Sequence, residues 1–237
     1  TFSGTTTISG SSINSFANVD VTGTLTAPAA NINISRNFNN SGTFNHNSGT
    51  LTFNGAVAQT IQGANTFYNL TINNTVGGVA VTSGSQNLIS TLTLTNGAFN
   101  TNNAFTLVSD ASATARIAEI TGGSITGNIT MQRYVPAGNT SWRQLGTAVS
   151  GQSVAGWSDD FPMDFGSFKS VTYYDEAVPG PKENGWVGAT STSQAIAVGQ
   201  GFMCYVGDGP VTTNPINMDV TGATNTGSIT LPVTYNV

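Results

Sequence analysis

The feature that most constrains this chain is a recurrence near twenty residues: Ile32, Leu51, Leu70 and Leu92 follow one another at intervals of 19, 19 and 22. Each heads an apolar–polar–apolar triplet, Ile32/Ile34, Leu51/Phe53, Leu70/Ile72 and Leu92/Leu94. Alternation of that kind is the period-two signature of a strand with one buried face, and helical spacing is nowhere sustained. Val19/Val21, Val79/Val81 and Phe105/Leu107 extend the series, separated by Gly, Asn and Ser clusters that suit turns. A fixed period without helices predicts a β-solenoid, in which no coil buries its apolar face alone and each is stabilised by its neighbours. The residues between the inward pairs, Asn33, Thr52, Thr71 and Thr93, then form an outward ladder.

Two further patterns bear on the same stretch. Thr7 to Gly10 with Phe16 to Val21 resembles Thr60 to Gly63 with Phe67 to Ile72, and Asn40 to Phe44 is echoed by Asn47 to Leu51. A sandwich of hairpins is the competing fold, because Asn54-Gly55 and Asn96-Gly97 are strong two-residue hairpin signals. Hairpins alone do not explain the period, so the solenoid is preferred.

Composition changes near Arg133. All three tryptophans, seven of the eight prolines and most charges lie beyond it. Runs such as Val171 to Tyr174 and Phe202 to Val206, with a Gly/Pro-rich connection at Pro179 to Pro181, read as antiparallel strands. The expected architecture is all-β: a β-solenoid, parallel β-helix-like, over residues 1–132, followed by an antiparallel β-sandwich-like module over 133–237. That module is expected to be incomplete at its C-terminal end, and the chain to be a segment of something larger.

Charge narrows the function classes. Only 7% of residues are charged and the formal net charge is -5, so the chain presents no basic face to phosphates and nucleic-acid binding is excluded. No apolar run approaches the ~20 residues of a membrane helix. The single cysteine, Cys204, forms no intrachain disulfide and reads as an inert thiol in a buried strand.

The chain resembles the large secreted surface proteins of Bacteroidetes exported by the type IX route. In the first module the matching strings are Asn-Ser-Gly-Thr-Phe (40 to 44), Gly-Thr-Leu-Thr-Phe-Asn-Gly (49 to 55), Gln-Thr-Ile-Gln-Gly (59 to 63), Phe-Tyr-Asn-Leu-Thr-Ile-Asn-Asn (67 to 74) and Leu-Thr-Leu-Thr-Asn-Gly (92 to 97). In the second they are Arg133 to Ala137, Trp142-Arg143, Val149 to Gly151, Tyr174 to Glu176, Gly185 to Val187 and Gly201-Phe202. The resemblance implies export across the outer membrane and display or release at the cell surface, in the manner of an adhesin. It names no ligand.

Candidate chemistry is sparse. Glycoside hydrolysis needs two carboxylates about 5 to 10 Å apart, and the first module has only Asp20, Asp110 and Glu119, so no catalytic residues are assigned and the chain is expected not to be an enzyme. His46, the only histidine, lacks a nearby nucleophile or further ligands and reads as a turn residue. Asp159, Asp160 and Asp164 form an oxygen-rich run that is a candidate calcium site, and no other cofactor is expected. The threonine ladder raises ice binding, although threonines favour strands and stack on one another for structural reasons. Trp142, Trp157 and Trp186 are candidates for a sugar-stacking platform. The expected partners are a surface glycan, a protein ligand or further copies of the chain, and the function that of a structural or adhesive surface module, with a carbohydrate-binding accessory module as the alternative.

Overall fold

The computed structural model describes residues 1–212 and 215–230, in two compact units, Thr1–Gln132 and Arg133–Val237. In the first, the chain winds through about five turns of a β-solenoid, laying one short strand on each of three faces per turn. Thr5–Thr7, Asn14–Phe16 and Val19–Val21 are followed one turn on by Thr24–Thr26, Asn31–Ile34 and Phe38–Asn40, and then by Thr43–Asn45, Thr50–Phe53 and Gln59–Gln62. Each strand pairs in parallel with its counterpart in the next turn. From Asn65 the first two faces run together as the longer strands Asn65–Asn73 and Gln86–Asn96, their join marked by an irregularity between Phe67 and Asn69.

The predicted apolar row is in register. Ile32 pairs with Leu51, Leu51 with Leu70, and Leu70 with Leu92, all buried. Beside it runs a second buried row, Ile34, Phe53, Ile72 and Leu94. Removing each such side chain from water contributes about 1.5–3 kcal/mol, and only the adjacent turns supply the cover. The period stretches where loops are inserted, so that Phe38 pairs with Ile61 and Phe99 with Ile125.

The hairpin alternative fails, since the strand pairings within residues 5–131 are parallel. Asn54-Gly55 and Asn96-Gly97 are corners. Gly55 is needed because a Cβ there would come within 2.4 Å of the Ser35 carbonyl oxygen in the turn before. Close approach between turns thus recruits the same residue type as a hairpin. The likeness of Thr7–Gly10 to Thr60–Gly63 is not a structural equivalence either, because Thr7 ends a strand on the first face and Thr60 lies on the third.

Asparagine and glutamine also line the interior. At the corner leading from one turn to the next, Asn40 Nδ2 donates to Asn65 Oδ1 at 2.9 Å and Asn65 Nδ2 donates to Gln86 Oε1 at 2.8 Å. Gln86 Nε2 ends the ladder on the Gly63 carbonyl, 2.6 Å away. At another corner Gln59, 1% exposed, donates to the carbonyls of Ile34 and Arg36 and accepts from Gly55 N–H and Asn74 Nδ2. These amides bond backbone groups at the corners, among them Gly55 N–H and the Arg36 and Gly63 carbonyls, which lie outside the strands.

In the second unit a four-stranded antiparallel sheet runs in the order Gly138–Leu145, Phe202–Thr212, Val171–Tyr174 and Trp186–Gly188. Phe202, Cys204, Val206 and Val171 are buried on its inner side. Trp157, on the 3-10 turn Val154–Trp157, packs edge-on against Phe202 with ring centroids 5.7 Å apart. Met218 and Val220 of the strand Ile216–Ala223 are buried as well.

Candidate functional site

Strand alternation determines which side chains of this sheet meet solvent. Tyr205 lies between buried Cys204 and Val206, so it points outward, and Trp142 stands directly across from it. Their rings meet edge to face at 5.4 Å, and Phe168 joins them 5.2 Å from Tyr205 and 5.7 Å from Trp142. Two strands away Tyr174 pairs with Trp186 on the same outer face, 5.4 Å apart. Trp142, Phe168, Tyr174 and Trp186 are 40%, 42%, 43% and 50% exposed, which is unusual for side chains whose burial is normally worth so much. A concavity of about 230 Å³ beside the second pair is lined by Tyr174, Trp186, Gln144 and Met203.

The outer face is nearly neutral. Between the rings lie Gln144, Met203, Thr172 and Gly188, and the nearby Lys169 lays its aliphatic stem over Gly188 while its ammonium donates to the Phe165 carbonyl. At the free edge of the sheet a second cleft, about 370 Å³, is lined by Arg133, Tyr134, Trp142, Arg143 and Met218 among others.

The tryptophans anticipated as a platform therefore separate. Trp142 and Trp186 share the outer face, whereas Trp157 is 4% exposed and belongs to the core, its indole N–H without a hydrogen-bond partner among the described residues. Tyr174, Tyr205 and Phe168 take the place it was expected to fill.

Asp159, Asp160 and Asp164 do not converge, and no cluster of three metal-ligating side chains occurs among the described residues. Asp164 accepts from Gly166 N–H within its own loop at 2.7 Å. Asp160 accepts instead from Asp219 N–H at 3.0 Å. Burial pushes its carboxyl up to about 6, opposed by that hydrogen bond and reinforced by the charges of Asp219 and Asp159. The folded chain then holds a proton that the unfolded chain releases near 3.8, so stability declines as pH rises from about 4 to about 6 and is flat beyond. Asp160→Asn keeps the acceptor without the charge. Because the group is half exposed, the gain at about pH 8 is on the order of 1 kcal/mol, or ~2–4 °C, and vanishes at about pH 4. Melting curves of both proteins across that range check it, and an equal gain at both ends would refute the assignment.

In the solenoid, Asp20 and Asp110 have local partners. Asp20 accepts from Asn39 Nδ2 one turn on, at 2.6 Å. Asp110 caps its own turn, and its hydrogen bonds from the Ser112 side chain and from the Ser112 and Ala113 backbone hold its carboxyl below the usual range. His46, half-buried, stacks on Tyr68 and accepts Ser48 N–H at Nδ1. The ladder Asn33, Thr52, Thr71 and Thr93 is in register, but Thr52 is only 8% exposed and donates to Asn31 Oδ1, so the row is not a uniform solvent-facing array. Burial lifts the Cys204 thiol to about 12, which leaves it unreactive. No helix among the described residues is long and apolar enough to cross a membrane. Comparison with protein-family models, with curated proteins and with solved structures gives no match.

Proposed function

We propose that this chain is an extracellular adhesive module, secreted and displayed at the cell surface, that grips a carbohydrate on the aromatic face of its second unit. The observation that carries the reading is the set of solvent-exposed rings Trp142, Phe168, Tyr174 and Trp186, with half-buried Tyr205 among them, on one nearly neutral sheet face. Ring faces offer apolar area to the C–H side of a pyranose, and Gln144 and Thr172 between them offer neutral hydrogen bonds to hydroxyls. The module acts by binding rather than turnover. The solenoid serves as its scaffold, and the surface location rests on the sequence strings quoted above.

A glycan array on the intact chain, followed by calorimetry on the hits, tests this. The Trp142→Ala/Trp186→Ala double variant is expected to bind ~30–100-fold more weakly, at about 1 kcal/mol or more per ring, with an unchanged melting temperature. Trp157→Ala is expected to do the reverse, costing about 3 kcal/mol of stability while leaving affinity intact wherever it folds. No glycan above background for the unaltered protein would overturn the proposal.

A further inference from the structure

The rings of the outer face form two separate footholds. Trp142, Tyr205 and Phe168 meet at interplanar angles of 45° to 82°, and Tyr174 meets Trp186 at 75°. No two rings of a cluster can lie flat on the same sugar, so each cluster stacks one. Register gives the gap between them. Thr172 stands across from Met203, and that register continued puts Tyr174 level with Gly201, four residues along from Tyr205 on the adjacent strand. At about 3.3 Å per residue and 4.8 Å per strand, the backbones of Tyr205 and Tyr174 are roughly 14 Å apart and those of Trp142 and Trp186, three strands apart, roughly 20 Å. Between the clusters runs the uncharged row Gln144, Met203, Thr172 and Gly188. The 230 Å³ concavity beside Tyr174 and Trp186 reaches Gly201, where an added Cβ would meet nothing nearer than the Leu145 carbonyl oxygen at 4.0 Å. The concavity exists because a side chain is absent there, and its size suits a single sugar ring.

We infer that this face takes a linear, uncharged polysaccharide laid diagonally across the sheet, with one ring stacked in the Trp142 cluster, another in the concavity over Gly201 beside Trp186, and the rings between them on the neutral row. The inference rests on the adhesive reading above and names its ligand class. A chain of about four or five rings bridges the footholds, and once the first contact is made the second forms at the high effective concentration of a tethered group. The row offers no cation to a carboxylate or sulfate, and the ammonium of nearby Lys169 is already held by the Phe165 carbonyl. A protein partner fits less well, because protein interfaces put apolar residues at the centre and polar ones at the rim, whereas here Gln144 and Thr172 lie in the middle and the rings flank them.

The intact chain is titrated calorimetrically with β-linked linear oligomers of glucose, mannose and N-acetylglucosamine, from two rings to six, and with a uronic-acid hexamer. In the series that binds, affinity is expected to rise about tenfold or more between three rings and five and then to level off. Trp186→Ala, and Gly201→Val, whose side chain fills the concavity, should each lower the affinity for five rings about tenfold, to that of a disaccharide, with an unchanged melting temperature. Full affinity already at two rings, a rise that survives both variants, or tighter binding of the uronate overturns the inference but spares the adhesive reading. So does a glycan array whose hits include no linear neutral chain. A dimer that Trp142→Ala disperses in sedimentation gives the face to a second copy and overturns both readings, as does the absence of glycan binding of any kind.

Discussion

Gln59→Leu is expected to lower the stability of the solenoid by about 3 kcal/mol, a shift on the order of 10 °C. Leucine fills most of the same volume, so the loss comes from the groups left behind. Among the described residues Gly55 N–H and the Arg36 carbonyl have only Gln59 as a hydrogen-bond partner, whereas the Ile34 carbonyl keeps Asn54 N–H and the Asn74 amide keeps the Val57 carbonyl. Gln59→Glu should be worse at neutral pH, because it removes both donors and buries a charge without a counter-ion. Gln62→Leu, at an exposed position three residues on, is the control and should change little. Since all three tryptophans lie beyond Arg133, their fluorescence follows the second unit alone while far-ultraviolet circular dichroism follows both. The two probes should part in Gln59→Leu, and coincident loss of both signals at the unaltered temperature would contradict the account.

Gly63→Ala is expected to cost at least as much. At φ +85° an alanine is strained by about 1–2 kcal/mol before any contact is considered. Its Cβ would also sit 1.7 Å from the Asn40 carbonyl oxygen, a backbone atom of the preceding turn that cannot step aside alone. The Gly63 carbonyl receives Gln86 Nε2 and Asn65 Nδ2, so displacement here loosens the amide ladder too. Gly10 separates the two effects, since its φ is +107° and nothing lies within 4 Å of an added Cβ. Gly10→Ala should show the strain alone, near 1 kcal/mol, and equal losses at the two glycines in urea titrations would rule out the stacking argument.

The stack was legible because an inward Leu or Ile recurs once per turn, and parallel pairing demands that the same face return after a fixed length of chain. Its interior amides were not. Asn40, Asn65, Gln59 and Gln86 look in sequence like the Asn and Ser of turns, and only the neighbouring turn decides which are enclosed. The aromatic face was half legible. Trp142 and Trp186 stood out by type, but Trp157 did also, and nothing local distinguishes a ring in a buried 3-10 turn from one on a strand. Tyr205 carried a usable signal, falling out of phase with Phe202, Cys204 and Val206. Its meeting with Trp142 depends on antiparallel register across more than sixty residues, which no short window contains.

The parallel register of one turn on the next has a mechanical consequence. A pull between the two ends of such a stack loads its turns in series, and the outermost turn peels before those beneath it feel a change in their own hydrogen bonds. Each peeled turn frees roughly twenty residues, about 65–70 Å of chain. A stalk of this build lengthens in steps under load, and a contact at its far end is spared while the steps last.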